Sequence, residues 1–356
     1  MNVDLDTLLR ELVANEGSDL HVKAGEPPVF RIHGDLKRTD FPVLTEEDTR
    51  NLVYSITNEE RRARFEQMME LDMSYEIRGL SRFRVNVFQQ RGAIGAVLRA
   101  IPIKIQTVDD LMMPQVCKEI SMRPRGLVLV TGPTGSGKST SLAAMIDHIN
   151  IQKRCHIVTI EDPIEFLHSD KLAEINQREI GEDTHSFAAA LKHIMRQNPD
   201  VILVGEMRDL ETISLAITAA ETGHLVFATL HTTDAPQTID RTIDVFPPEQ
   251  QEQIRTQLSV TLQAVISQTL LPRADQTGRI AAFEIMVATP AVGALIREGK
   301  THQIYTDIQT GAEFGMQSLD QHLVNLVRRR LVTYEHALAK SQNPKDFEQR
   351  CARLYA

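Results

Sequence analysis

Gly126-Leu-Val-Leu-Val-Thr131-Gly132-Pro133-Thr134-Gly135-Ser136-Gly137-Lys138-Ser139-Thr140-Ser141-Leu-Ala-Ala-Met-Ile146 reads as a strand, a glycine-rich turn and a helix in succession. That order, with Gly-x4-Gly-Lys-Ser at the turn, makes a phosphate-binding loop. Glycines let backbone N–H groups close around the β- and γ-phosphates, the helix N-terminus adds partial positive charge, and Lys138 spans the phosphate oxygens. Ser139 would put its hydroxyl on Mg²⁺. A chance glycine-rich turn would lack these flanks. The residues from Gly132 to Thr140 are therefore read as the binding site of a nucleoside triphosphate.

At 356 residues the chain is too long for one ordinary core, and length alone suggests about two or three domains. Hydrophobic residues make up 42 % and charged ones 24 %, the composition of a soluble globular protein. A net charge of −9 gives no general pull toward nucleic acid or an anionic membrane. Cys117, Cys155 and Cys351 are far apart, which argues against zinc and a disulfide framework and fits a reducing cytosol. The start, Met1-Asn-Val-Asp-Leu-Asp, lacks a signal peptide's basic residues. The most apolar stretch, 213–230, holds Glu221 and His224 and is no membrane span. The expectation is a cytoplasmic protein with at most indirect membrane attachment.

Residues 1–100 read as a separate α+β module. Leu5, Leu8, Leu9 and Leu12 have helical spacing, short strands are expected at 19–22 and 29–32, and one charged helix at 45–70. Arg82-Phe-Arg-Val-Asn-Val-Phe88 alternates, placing Phe83, Val85 and Val87 on one face and Arg82, Arg84 and Asn86 on the other. From residue 127 apolar strands at 127–130, 156–160, 201–204 and 225–230 alternate with helices, the α/β pattern of a largely parallel sheet with nucleotide at the strand C-ends. Beyond residue 272 strands thin out and helical patterning dominates.

A nucleotide-hydrolysing site needs an acid at a strand end. Glu206, after Val201-Ile-Leu-Val-Gly205, is placed to orient the attacking water or accept its proton. The position that often carries a magnesium-binding Asp is Gly205, so another acid must help. Glu161-Asp162-Pro-Ile-Glu165 ends the strand at 156–160; if that strand neighbours the phosphate loop, Glu161 or Glu165 could hold magnesium's waters. His231 and Thr232 land at the C-end of the strand at 225–230 and could sense the γ-phosphate, whereas His224 lies at that strand's other end. Arg82, Arg84, Arg91 and Arg99 are either a solvated face or bidentate phosphate donors given in trans to a neighbour's nucleotide.

Taken in order, the phosphate loop, Glu161-Asp-Pro-Ile-Glu165, Gly205-Glu-Met-Arg-Asp209 and Gly223-His-Leu-Val-Phe-Ala-Thr-Leu-His-Thr232 resemble the motifs of the type II/type IV secretion ATPases. Ser18-Asp-Leu-His21 and Gly315-Met-Gln-Ser-Leu-Asp320 extend the likeness along the chain. In that family the second and third motifs are the Asp box and Walker B box, and the fourth the His box. The resemblance implies a PAS-like N-terminal domain (1–100), a RecA-like P-loop ATPase core (101–272) and a helical C-terminal region (273–356). It also implies a homohexameric ring in which a neighbour's arginines reach ATP. The tetracysteine zinc motif of the extension and secretion members is missing, and Gly205-Glu-Met-Arg-Asp209 resembles the retraction members. The retraction motif Ala-Ile-Arg-Asn-Leu-Ile-Arg-Glu is matched by Ala291-Val-Gly-Ala-Leu-Ile-Arg-Glu298, with Gly293 in place of its first arginine.

These readings converge on a hexameric ATPase that powers type IV pilus retraction, or twitching motility, at the cytoplasmic face of the inner membrane. Its cofactors would be ATP and Mg²⁺. Its implied partners are its own copies, an inner-membrane pilus platform protein and a paralogous retraction ATPase, with no nucleic acid and no zinc. Two alternatives stay open: an assembly or secretion ATPase of the same superfamily, and a nucleotide-dependent structural switch with little turnover.

Overall fold

The computed structural model describes residues 4–101 and 104–355, which fall into two compact units, 1–104 with 165–167, and 105–164 with 168–356. The first unit is built on strands β1 (Gly17–Val22), β2 (Val29–Ile32), β3 (Asp35–Arg38), β4 (Glu70–Ile77), β5 (Ser81–Gln90) and β6 (Ala93–Ala100). They form one antiparallel sheet in the order β3-β2-β1-β6-β5-β4. Helix Leu5–Ala14 lays Leu5, Leu8, Leu9 and Leu12 on it, as their spacing requires. Alternation holds on β5, with Phe83, Val85 and Val87 buried and Arg84 exposed. The single charged helix expected at 45–70 is two helices, Glu46–Ser55 and Glu59–Met68. Asn58 caps the second by accepting from Arg61 N–H, a restart signal hidden inside a polar run.

In the second unit the strands are β7 (Gly126–Thr131), β8 (His156–Glu161), β9 (Glu174–Glu179), β10 (Val201–Val204), β11 (Leu225–Leu230), β12 (Leu262–Pro272) and β13 (Arg279–Val287). Their order is β13-β12-β7-β11-β10-β8-β9, parallel from β12 to β9, with β13 antiparallel at the edge. Helices cover both faces, so β7, β10 and β11 are buried along their whole length and read as unbroken apolar runs.

Beyond residue 272 the strands do thin out, to β13 alone among the described residues, and helices follow. The sequence of β13, Arg-Ile-Ala-Ala-Phe-Glu-Ile-Met-Val, is buried from Ala282 to Val287 on both faces, which removes the period-2 signal. Among the described residues no helix is long and apolar enough to cross a membrane.

Candidate active site

Strand β7 delivers the chain to Gly132, and helix Lys138–Gln152 carries it away. Between them Gly132, Gly135 and Gly137 take φ of 141°, 77° and 90°. At Gly132 a Cβ would stand 2.3 Å from the Gln268 carbonyl oxygen, so the position admits no side chain. The loop is anchored from β12: the Gln268 amide donates to the Ser136 carbonyl at 2.7 Å, and Thr131 Oγ1 donates to Ser267 Oγ at 2.8 Å. Lys138 Nζ donates to the Gly132 carbonyl at 2.7 Å, which holds the ammonium over the loop. Burial lowers the Lys138 pKa, and the charge of Glu206 opposes that shift, so these two site residues feel each other across the sheet edge.

Glu206 follows β10. Its Oε1 lies 2.6 Å from Arg208 Nε and 2.9 Å from His231 Nε2. Burial pushes the Glu206 carboxyl up, but the hydrogen bond and charge of Arg208, aided by His231, outweigh this and hold it below the usual carboxylate range. It is thus an ionised acceptor at neutral pH. His231 comes to it from the end of β11, the strand beside β10. His224, before β11, instead bonds the Ala219 carbonyl at the opposite edge.

Gly205 has a steric reason for departing from Asp. A Cβ there would stand 3.0 Å from the Ile160 carbonyl and 3.2 Å from Glu161 Cα, against the backbone of β8. Asp200 bonds the His156 N–H at the start of β8 and plays no part at this edge.

The condition set on the Asp-box acids, that their strand neighbour the phosphate loop, does not hold. Strands β11 and β10 lie between β7 and β8, so Glu161 stands three strand spacings, roughly 14 Å, along the sheet edge from the loop's strand. Its Oε1 accepts from Thr159 Oγ1 at 2.7 Å and Gln177 Nε2 at 3.2 Å. Glu165 belongs with residues 165–167 to the first unit, where its carboxylate lies 3.8 Å from Arg84. In that unit Arg82 donates to Ser74 Oγ at 2.8 Å, Arg91 occupies a turn at φ 52°, and Arg99 is committed to buried Asp19 at 2.8 Å. Among the described residues no three His, Cys, Asp or Glu side chains converge as a metal cage.

Beside Gly137 and Thr140 a cavity of about 560 Å³ is lined by Met112, Leu270, Arg273, Arg279 and Phe283, the side on which a nucleoside attached to loop-bound phosphates would extend. Sequence reasoning missed these residues, and it missed Gln268 and Arg208. Arg208 lies within a quoted motif; Gln268, Leu270, Arg279 and Phe283 come from β12 and β13, Arg273 from the turn between them and Met112 from the segment ahead of β7, and none leaves a local signal.

A parallel sheet with a phosphate loop, a strand-end glutamate and a histidine on the adjacent strand defines a P-loop ATPase. The chain belongs to the family described as "Type II/IV secretion system protein", which residues 1–338 match. It is 53 % identical over 345 residues to "Type IV pilus retractation ATPase PilT" of Pseudomonas aeruginosa, covering 97 % of this chain and 100 % of that one. It is 52 % identical to "Twitching motility protein" of Neisseria gonorrhoeae, over 89 % of this chain and 84 % of the relative. A solved structure, "Crystal Structure of the Pilus Retraction Motor PilT and Bound ADP", superimposes with a TM-score of 0.91 at 48 % identity, covering 98 % of this chain and 99 % of the other.

Proposed function

We propose that this chain is the ATP-hydrolysing motor of type IV pilus retraction, working as a homohexameric ring at the cytoplasmic face of the inner membrane against a pilus platform protein. The observation that carries the ATPase chemistry is the contact of Glu206 with His231 at the sheet edge where β7 opens into the phosphate loop with Lys138. Similarity at 53 % identity over nearly the whole length of a relative named as a retraction ATPase supports the direction of work.

In this reading the loop amides from Gly132 to Thr140 and the Lys138 ammonium hold the phosphates. Bound Mg²⁺ would supply charge neutralisation across the phosphate oxygens, with Ser139 as its side-chain ligand. Ionised Glu206 orients the attacking water or takes its proton, and His231 sets the direction of that carboxylate. Arg82, Arg84 and Arg91 are the candidates to meet a neighbouring copy's phosphates, where a guanidinium stabilises developing charge.

The test is piliation and twitching in cells carrying Glu206→Gln, beside phosphate release by the purified protein. Excess, non-retracting pili with lost turnover are expected. Bald cells would overturn retraction in favour of assembly or secretion, and wild-type turnover would remove Glu206 from its role.

A further inference from the structure

Glu284 sits in the middle of β13 and is fully buried, a place where a carboxylate is rarely found without a cation. Register puts it opposite Ser267 on β12, and Ser267 is in turn opposite Thr131 on β7. Directly opposed residues share a face, so a buried polar row crosses three strands and ends at the residue before Gly132. Its inner two members are joined by the Thr131–Ser267 hydrogen bond.

The carboxylate itself is divided. Oε1 accepts the N–H of Ala235 at 2.8 Å, whereas Oε2 makes no hydrogen bond of normal geometry among the described residues, although the Gln342 amide stands close enough to favour the charged form. Glu284 lines a cavity of about 630 Å³ whose wall also includes Pro133 of the phosphate loop, Asp234 and Gln342. On the far side buried Asp320 accepts the N–H groups of Gln342 and Asn343, each at 2.9 Å, and fixes the C-terminal segment to the same wall.

Ala235 is the first residue of helix Ala235–Asp244, four positions after His231. The intervening loop is held by its own side chains: Thr233 N–H donates to Gln237 Oε1 at 3.0 Å, and Thr232 Oγ1 meets Thr238 Oγ1 at 2.7 Å. All of those contacts tie the loop to the helix; Glu284 ties the helix start to the sheet. We propose that Glu284 is a positioning residue for ATP hydrolysis, fixing through Ala235 the loop that presents His231 to Glu206.

The inference rests on the ATPase reading and adds a residue to it. It also carries a pH dependence. Burial pushes the Glu284 carboxyl up to about 7, the Ala235 N–H opposing, Asp234 and Asp320 adding to the rise, and the Gln342 amide opposing. His302, Tyr305 and Lys340 are the other titratable groups on the cavity wall. A carboxylate accepts a hydrogen bond more strongly than a neutral acid, so the loop is held more firmly as the proton leaves, and kcat should rise through neutral pH.

The experiment follows phosphate release against pH for the full chain, Glu284→Gln and Glu284→Ala, with melting temperatures recorded for each. Glu284→Gln keeps shape and an acceptor but not charge. We expect it to fold like the wild type, to hold its KM for ATP, and to lose the neutral-pH rise, leaving kcat about tenfold lower on the alkaline side. Glu284→Ala should be lower still. Superimposed wild-type and Glu284→Gln profiles would overturn the inference, as would a raised KM at unchanged kcat. A cycle with His231→Ala guards against a folding defect: losses that do not add are expected, and fully additive losses would overturn the coupling. Absence of turnover in the wild type would instead fail the ATPase reading itself.

Discussion

Glu206 and His231 are 25 residues apart in sequence and meet at 2.9 Å, because β10 and β11 are adjacent and parallel and release the chain at the same sheet edge. The contact leaves Glu206 Oε1 held from two sides, by His231 and by Arg208, with its side chain 20 % exposed. A carboxylate so fixed is pre-aimed, as a general base must be. Glu206→Gln keeps the shape and removes the proton acceptor. Turnover should fall by about 10²–10⁴-fold with little change in melting temperature. Lys138→Ala should also abolish turnover, but by loss of nucleotide affinity, because among the described residues Lys138 bonds loop carbonyls alone. Steady-state phosphate release and equilibrium nucleotide binding separate the two; intact turnover in either variant would contradict its assigned role.

Arg208 sets the ionisation of the same carboxylate. Burial raises the Glu206 pKa, and Arg208 is the main group that brings it down. In Arg208→Ala burial is less opposed and the carboxyl rises toward or past its ordinary value. A general base acts only when deprotonated, so the acid limb of kcat/KM should move to higher pH while the alkaline plateau changes less. The sign for stability is the same: a depressed carboxyl stabilises the fold above its unfolded pKa, and the benefit is lost as pH falls through the folded value. Arg208 is 72 % exposed, so that part should be small. Coincident acid limbs in wild type and variant would show that Arg208 does not control Glu206.

What was readable in the sequence was what is local. The loop from Gly132 to Thr140 is a contiguous motif with its strand and helix attached. Glu206 and His231 were placed correctly at strand C-ends because each follows an apolar run. Their meeting, however, depends on strand order, which no local pattern encodes. For the same reason the adjacency of β8 to the phosphate loop stays an open condition in the sequence, and two strands in fact stand between. Gln268, which braces the loop through Ser136, and Glu284 lie on strands whose burial on both faces erased their alternation. Gly205 departs from the common metal-site pattern, and the backbone of β8 crowds the position, so that a side chain there would press on Ile160 and Glu161.

Gly293, the position where the retraction motif carries arginine, proves to be a packing position. Helix Pro290–Arg297 lies against helix Pro248–Thr261, and a Cβ at Gly293 would stand 3.0 Å from the Ser259 carbonyl oxygen. One turn on, Arg297 donates to Ser259 Oγ at 3.2 Å and reinforces the same contact. Gly293→Ala gains about 1 kcal/mol of helix propensity and strains this contact by a few tenths of an ångström, so calorimetry should find it near wild type. Gly293→Arg must force a long side chain between the helices and should cost about 1–3 kcal/mol as overpacking. An arginine variant that melts at or above wild type would mean the helices separate without penalty.

His322 gives the second unit an acid sensitivity of its own. It is 6 % exposed, stacks on Phe283 with ring centroids 5.8 Å apart, and accepts the Phe283 N–H on Nδ1 at 2.9 Å. Accepting that bond requires the neutral ring, and burial, with Arg329 adding to it, lowers the His322 pKa to about 4. In the unfolded chain the ring takes its proton near its ordinary value, about 6.5. Between those two values the unfolded state binds more protons, so the stability held above the upper one drains away as pH falls toward the lower. The ring's share should be of order 1–3 kcal/mol. His322→Gln offers the Phe283 N–H an uncharged acceptor that does not titrate. The variant should melt below wild type at neutral pH, for lack of the stacked ring, and lose less on acidification. Parallel melting curves for the two proteins from neutral to acid pH would show that His322 is not the group responsible.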